Sequence, residues 1–553
     1  VLNISTSLLG SAINLPTPFG KNPDESRSLE AEITVAPSAV GYKFDYSDQV
    51  SIALVQPKSE PIRGTIALNK SGLQPDKPGI WLQGDAPLVD GRKWWSVIEQ
   101  YQALSDKLSV AAQEDASRAV STDTESGLNL DLNLGQFIWD DIALQDVQVG
   151  GGQSTGGWRL SVDGDVLAGE IVLIDNQPIS LSAHHIRWPT SLAAEGEGVA
   201  SSDRVDSNNG IDDSGISSGS SLSSDYVSRA LATITPADIL PMDVVIEELL
   251  IGSEDYGYWS AKVRPEHDVI VLSEIVGSIR GIGVSGLKGS DDGASLLWSQ
   301  YGDEHYTTFA GKLTGENLAD VSAAWSLPTM LDSESAEVAL SFQWPGSPAD
   351  FSLVNTRGDL SLEVKQGRFY RTTGQAASAL LRLVGLFNFD SWVRRLQLDF
   401  SDVYKGGTPY EKIEGRIKTD QGILYLTEPI TVTNTSSRIQ MGGKISLTDE
   451  TLDASLVATL PVGGNATLIT ALAAGLPAAA GVYAVSKIFK KQVERVASVS
   501  YQVRGSWSEP EVNFDRLFDN KAAKDAAKDS RREADNHPLP EPPDASEASA
   551  PNS

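Results

Sequence analysis

Residues 358–460 open with GDLSLEV (358–364), a strict alternation that places Leu360, Leu362 and Val364 on one side of a strand. The polar letters KQG that follow predict a turn. EGRIKTDQGILYL (414–426) and GGKISLTDETLDASLVATL (442–460) repeat this design, with apolar residues at every second position around polar turns. The stretch therefore predicts hairpins of strands that have one apolar and one polar face.

One segment inside this stretch breaks the two-residue period. GQAASALLRLVGLFNFDSWVRRL (374–396) carries apolar residues three and four positions apart, which predicts a helix over about 374–395. GRKWWSVIEQYQALSDKLSVAAQED predicts another helix over 91–115 for the same reason. A third helical region is expected over 465–496. These three are the only helices that the pattern predicts.

The remainder of the chain alternates like the opening stretch. GLNLDLNLGQF (127–137) has the cleanest alternation and places Leu128, Leu130, Leu132 and Leu134 on one face. We expect these four leucines, together with Leu360, Leu362 and Val364, to line an apolar groove.

Composition divides the chain into five parts. EGEGVASSDRVDSNNGIDDSGISSGSSLSSD (195–225) offers almost nothing to bury, and the residues after 516 are rich in Ala, Lys, Asp and Pro, so both are expected to be disordered. The predicted parts are the N-terminal β region 1–194, the insertion 195–225, the continuing β region 226–373, the C-terminal region 374–515 and the tail 516–553.

The many short strands raise a packing problem. Each strand needs its apolar face covered, and three helices are too few to cover them all. A flat sheet of that length would expose a large apolar surface. The pattern therefore favours a mainly β fold, in which a long antiparallel sheet rolls into an elongated apolar groove, like an open barrel, with a few amphipathic helices.

Charge and motifs argue against several classes of protein. The formal charge of −30 disfavours a nucleic-acid partner, and the absence of Cys removes thiolate chemistry and disulfides. GQSTG (152–156) and GISSG (215–219) match the Ser-hydrolase elbow only in letters, and GIGVSG (281–286) is followed by no helix that could receive a pyrophosphate. We therefore predict no catalytic residue, no metal site and no cofactor, and a Ser154 hydrolase ranks as a distant third hypothesis.

The uncharged segment NATLITALAAGLPAAAGVYAVSKIFKK (465–491) is a candidate contact with a membrane or a partner. Glycine and proline interrupt it, so two short helices are expected rather than one membrane span. Its lysines lie beside an aromatic residue, as in interfacial helices. The candidate contact residues are Leu468, Leu472, Leu476 and Phe489, and the alternative is an end-cap that packs over the last strands.

Two long stretches resemble a known family. WPGSPADFSLVNTRGDLSLEVKQGRF (344–369) and LLRLVGLFNFDSWVRRLQLDFSDVYKGG (380–407) are similar to the C-terminal part of the AsmA-like superfamily, in its YhdP-type branch of Gram-negative bacteria. GSWSEP (505–510) and ITPADILPMDVVIEELLIG (233–252) also fit. The resemblance is strongest over about 340–515.

The resemblance implies a protein of the bacterial envelope. It implies a periplasmic β-groove, anchored to the inner membrane by an N-terminal helix that this sequence lacks. Its expected role is non-enzymatic transport of phospholipid towards the outer membrane, with phospholipids, both membranes and envelope proteins as partners. The alternative is a protein-binding scaffold that assists outer-membrane protein assembly, as in the related TamB branch, since an open sheet edge can pair with an incoming strand.

Overall fold

A computed structural model describes most of the chain. The described residues are 1–58, 60–70, 75, 77–97, 100, 128–139, 142–154, 156–188, 239–266, 268–287, 293–301, 304–370, 408–435, 437–461, 496–507, 510–517 and 519–536. They form two compact units. Among them, the N-terminal unit comprises 1–188 and 240–260, and the C-terminal unit comprises 239 and 261–536.

The N-terminal unit is built from strands joined by short turns and a few longer connections. Its strands are β1 Leu2–Thr6, β2 Leu29–Val35, β3 Ala39–Tyr46, β4 Val50–Pro57, β5 Arg63–Leu68, β6 Gly79–Ala86, β7 Val89–Asp90, β8 Leu128–Trp139, β9 Ile142–Ser154, β10 Gly157–Asp163, β11 Leu167–Ile174, β12 Ile179–Trp188, β13 Met242–Ile251 and β14 Glu254–Asp255. The division between the units falls within β15 Tyr258–Glu266.

Neighbouring strands of this unit pair mainly in antiparallel fashion. Parallel pairs occur where a longer connection returns the chain to the same end of the sheet, at β5–β6, β6–β8, β7–β8 and β12–β13. The resulting ladder runs from β1 to β13 without a break in its hydrogen-bonded neighbours.

The C-terminal unit continues with longer strands that pair in antiparallel fashion. They are β16 Val269–Ile279, β17 Ile282–Ser285, β18 Ala294–Tyr301, β19 Glu304–Gly315, β20 Ser335–Pro345, β21 Arg357–Phe369, β22 Thr408–Asp420, β23 Ile423–Thr433, β24 Arg438–Ser446, β25 Thr451–Pro461, β26 Val496–Ser506 and β27 Glu511–Leu517. The mainly β fold that the sequence predicts is confirmed, with antiparallel pairing as its dominant form.

Helices are few in the described part of the chain. Residues 91–97 are helical and agree with the start of the helix predicted over 91–115. A short helix, Leu318–Ala324, begins after Asn317, whose side chain accepts a hydrogen bond from the Ala319 N–H. A 3₁₀ turn occupies Pro348–Asp350. The predicted helix over 374–395 lies outside the described residues, as does that over 465–496 except for Val496, which begins β26.

One expectation is wrong. The sequence predicts a disordered tail over 516–553, but β27 extends to Leu517 and a helix that we call the C-terminal helix spans Ala522–Asp535. Residues 537–553 lie outside the described part of the chain. Its Ala and Lys residues favour a helix, and its small side chains recur three and four positions apart, so one narrow face can approach a sheet closely. The predicted boundaries near 194, 225 and 373 lie outside the described residues.

Candidate functional site

An unbroken row of apolar residues crosses the N-terminal unit from strand to strand. Each residue of the row is the ladder partner of the next, so all of them share one face of the sheet. We call this row the apolar stripe. It consists of Ile4, Ala31, Phe44, Ile52, Ile66, Leu82, Leu130, Gly151, Leu160, Ile171, Leu181 and Val244.

The neighbouring row, which takes the residue adjacent to each stripe residue along its strand, has a different character. It lies on the opposite face because successive side chains of a strand alternate. Its members are Ser5, Glu30, Asp45, Ser51, Ala67, Gln83, Asp131, Gly150, Ser161, Glu170, Ser182 and Val245. The register therefore sorts apolar side chains to one face and mostly polar ones to the other across twelve strands, β1 to β6 and β8 to β13.

The length of the apolar stripe follows from strand spacing. Neighbouring strands lie about 4.8 Å apart, so twelve strands extend over about 50 Å. Half of a bilayer's hydrocarbon core, the reach of one acyl chain, is about 15 Å. The stripe is thus long enough for several acyl chains end to end.

Side chains on the apolar stripe are only partly covered. Ile52, Ile66, Leu82 and Leu130 are each partly exposed, and Ile4 at one end is 50% exposed. The buried apolar cluster of this unit is small and consists of Ala86, Leu134 and Val147. The apolar face of the N-terminal unit is therefore accessible rather than a filled core.

The four leucines predicted as groove lining all belong to β8. Leu128 and Leu130 are partly exposed, Leu132 packs against the small buried cluster, and Leu134 is part of that cluster. Their ladder partners on β6 are Ile80, Leu82, Gly84 and Ala86. Their role as a lipid lining stays a prediction.

A glycine on the apolar stripe is required by close backbone approach. Gly151 has φ +128°, and a Cβ placed there would collide with the carbonyl oxygen of Arg159 on the next strand. Gly84 on β6 has the same φ and meets the Leu68 carbonyl in the same way. Such in-strand glycines let a sheet bend where a side chain would not fit.

The same type of apolar face is buried in the C-terminal unit. Ile417, Leu426, Leu456 and Val503 belong to one large cluster in which Leu426, Leu456 and Val503 are fully buried. Burial also raises the pKa of Tyr501 in this cluster to about 12, because the charged phenolate would lose its hydration. Because its residues are buried, this cluster is a closed core.

The second predicted set of lining residues lies against this core. Val364 is buried within the cluster, while Leu360 and Leu362 are partly buried and pack against it. Their ladder partners on β22 are Ile417, Gly415 and Ile413. The role of these three residues as a lipid lining also stays a prediction.

The opposite face of the last strands is covered by the C-terminal helix. Ala523, Ala527, Ser530 and Ala534 are its buried residues, and Gly442 on β24 lets the helix approach, because a Cβ there would collide with the Ala523 carbonyl. Tyr425 on β23 and Val457 on β25 are also buried, although neither belongs to the large apolar cluster.

Ion pairs fix the helix in place. Lys444 Nζ lies 2.8 Å from Glu533 Oε1, and Lys418 Nζ donates a 3.0 Å hydrogen bond to the Ala534 carbonyl near the helix C-terminus. Arg531 donates a 3.0 Å hydrogen bond to the Thr427 carbonyl. The sequence gives no local signal for these contacts, because they join residues about 90 to 120 positions apart.

A charged network lies on the polar face of β21 and β22. Glu363 contacts Lys365 at 2.6 Å and Lys412 at 2.7 Å, and Lys412 also contacts Glu414. Hydrogen bonds from the two lysines lower the pKa of Glu363 to about 2. All four side chains remain partly exposed, so the network is typical of a solvated sheet face.

Ser154 of the weak elbow motif and the two histidines of β12 occupy ordinary positions. Ser154 ends β9 in a hairpin with β10, rather than standing at a strand-to-helix turn. His184 pairs with Glu247, and His185 contacts the Gly164 carbonyl. Among the described residues, no group of three His, Asp or Glu side chains could hold a metal ion.

Other candidate residues cannot be placed. Leu468, Leu472, Leu476 and Phe489 lie outside the described residues, so their contact with a membrane or a partner stays a prediction. In the part of the chain that the structure describes, no helix is both long enough and apolar enough to cross a membrane.

Comparison with known proteins addresses the resemblance found in the sequence. The sequence model of the YhdP protein family matches residues 1–512. The chain belongs to the YhdP family. This confirms the YhdP-type, AsmA-like assignment, and the C-terminal helix lies beyond the matched residues.

One curated relative has an assigned role. Over 262 residues the chain is 21% identical to the intermembrane phospholipid transporter YhdP of Escherichia coli strain K12. The match covers 46% of this chain and 20% of that protein, so the chain spans about a fifth of the relative's length. No solved structure matches the chain significantly.

Proposed function

We propose that this YhdP-family chain carries phospholipid acyl chains on the apolar stripe of its N-terminal unit, as one section of a path between the inner and outer membranes. The observation that carries the proposal is the unbroken apolar register over twelve strands with partly exposed side chains. The name of the Escherichia coli relative supports the same substrate class.

The physical basis is that the free-energy barrier for an acyl chain to leave the membrane for water is removed. Each CH₂ group that leaves an apolar phase for water costs about 0.8 kcal/mol, so a whole acyl chain does not cross water unaided. An apolar surface that continues from strand to strand offers the acyl chain similar surroundings at every step. Such a path needs no covalent chemistry, and we propose a non-enzymatic role.

The setting of this activity is also part of the proposal. We place the chain in the periplasm, as part of a longer protein held at the inner membrane by an N-terminal helix. Phospholipids and the two membranes would be its partners, with further envelope proteins at either end. The proposed result is phospholipid balance and barrier function of the outer membrane.

Lipid mass spectrometry of the purified chain tests this proposal. Organic extraction should release at least one phospholipid per chain from the wild type. Leu130→Asp places a charge on the apolar stripe and should lower the retained phospholipid severalfold, because an acyl chain cannot hydrate the carboxylate. Asn129→Asp, on the opposite face of the same strand, is the matched control and should retain the wild-type amount.

Two results would refute the proposal. One is a folded wild-type chain that carries no phospholipid when purified from a Gram-negative host. The other is co-purification of an unfolded outer-membrane protein in place of lipid, which would favour the scaffold alternative.

A further inference from the structure

One long edge of the N-terminal sheet carries a group of aromatic residues. The C-terminal ends of five strands, β5, β6, β8, β12 and β13, lie on the same edge of the sheet. These strands run parallel to one another or are related by an even number of antiparallel steps. Trp139 ends β8, Trp188 ends β12, and Trp94 and Trp95 follow β7 at this edge.

Several of these side chains contact one another or nearby aromatic rings. Phe137 and Trp139 stack with their ring centroids 6.5 Å apart, and Gly91 is packed against both rings. Trp94 meets Phe19 edge to face at 5.9 Å. We call Phe19, Trp94, Trp95, Phe137 and Trp139 the aromatic edge.

The aromatic edge is continuous with the apolar face of the sheet. Phe137 packs against the buried cluster of Ala86, Leu134 and Val147, and Leu132 packs against the same cluster. An apolar surface therefore runs along β8 from the partly exposed leucines to the indole of Trp139.

The outermost rings of the aromatic edge are open to solvent. Trp95 is 54% exposed and Trp139 is 39% exposed. Arg92 lies exposed beside them, and Lys93 forms a 2.7 Å ion pair with Asp90. Indoles with an apolar body and an N–H donor, next to cationic side chains, are typical of the layer where acyl chains meet polar head groups.

We propose that the aromatic edge holds the glycerol ester and phosphate layer of a phospholipid whose acyl chains point towards the apolar stripe. The inference rests on the proposed function and adds the orientation of the lipid. Acyl chains run from the aromatic edge along the strands towards the apolar stripe, and the ester layer lies beside the exposed rings of Trp95 and Trp139. The aromatic edge is thus the edge of the sheet at which head groups meet water.

Site-specific photo-crosslinking in the full-length chain tests the orientation. A benzophenone amino acid at position 95 or 139 should capture phospholipid, as should one at Leu130. The control is position 81, because Trp81 lies towards the other end of its strand, on the face opposite Leu82, beneath Lys77 at 4.3 Å. Crosslinks at 95 and 139 without crosslinks at 81 are expected.

The outcomes separate this inference from the function on which it rests. Lipid captured at 130 but not at 95 or 139 overturns the aromatic edge and leaves the proposed function intact. Lipid captured at none of the positions overturns both. Equal capture at 81 would show that neither the edge nor the face decides where the head-group layer lies, and it also contradicts the inference.

A variant distinguishes groove-bound lipid from docking on a bilayer. Trp95→Ala removes an exposed ring and should leave the melting temperature unchanged, while phospholipid retained by the purified chain should fall about fivefold. If retention is unchanged and only binding to phosphatidylglycerol vesicles falls, the edge is a membrane-docking surface and the inference is wrong.

Discussion

The two units share one sequence pattern, the alternation of apolar and polar residues, but they differ in whether the apolar face is buried. In the N-terminal unit the apolar face stays partly exposed, and its buried cluster comprises three residues. In the C-terminal unit the equivalent face forms a large buried cluster, and the other face of its last strands is covered by the C-terminal helix. Alternation alone therefore sets which side of a strand is apolar, and the surroundings set whether that side becomes a core or a surface for a guest.

The largest expected effect contrasts the two faces directly. Leu456→Asp places a charge at a fully buried site and should cost at least about 3 kcal/mol of unfolding free energy, because the carboxylate loses its hydration without a partner. Leu130→Asp lies on a partly exposed face and should cost about 1 kcal/mol. Chemical denaturation of both variants measures the difference. Equal losses would mean that the N-terminal face is also a core.

A smaller effect concerns the face of the C-terminal unit that the C-terminal helix covers. Gly442→Val should displace the C-terminal helix, because any Cβ at this position collides with the Ala523 carbonyl, at a cost of about 1–3 kcal/mol. Hydrogen exchange of the amides in 522–535 should rise markedly. Gly41→Val on β3 is the matched control, since a Cβ there comes no closer than 3.9 Å to Thr34 and the position needs no positive φ. Unchanged protection of the helix in Gly442→Val would contradict its docking on β24.

The smallest expected effect is on the solvated charge network. The pKa of Glu363 in the folded chain is about 2, below its ordinary value of 4.5, so its ion pairs stabilise the fold above pH 4.5. This contribution should fade as the pH drops from 4.5 towards 2. Glu363→Gln should therefore be slightly less stable than the wild type at pH 7 and equal to it near pH 2. A constant deficit across that range would show that the carboxylate charge is not the cause.

The strands and their faces could be predicted from the sequence, and the neighbours of each strand could not. Alternation places Leu128 to Leu134 on one face of β8, as the structure does. It cannot specify that β6 pairs in parallel with β8 or β12 with β13, because those pairings close long connections and depend on tertiary packing.

The C-terminal helix shows a second limit. Its composition is typical of a disordered tail, and most of its apolar surface is alanine. It is stabilised by Gly442 and by Lys418 and Lys444, which lie far from it in sequence. The aromatic edge is not predictable from the sequence for a similar reason, since Phe19 meets Trp94, and Gly91 meets Trp139, only in the folded unit.

The most direct test of the central claim is photo-crosslinking at alternating positions in living cells. Phe44, Leu130 and Leu160 lie on the apolar stripe, and Asp45, Asp131 and Ser161 are the next residues on the opposite face. We predict phospholipid crosslinks at the first three positions, none at the second three, and none at the buried Leu456. Equal labelling of neighbouring positions, or labelling at Leu456 alone, would contradict an accessible lipid path on the N-terminal unit.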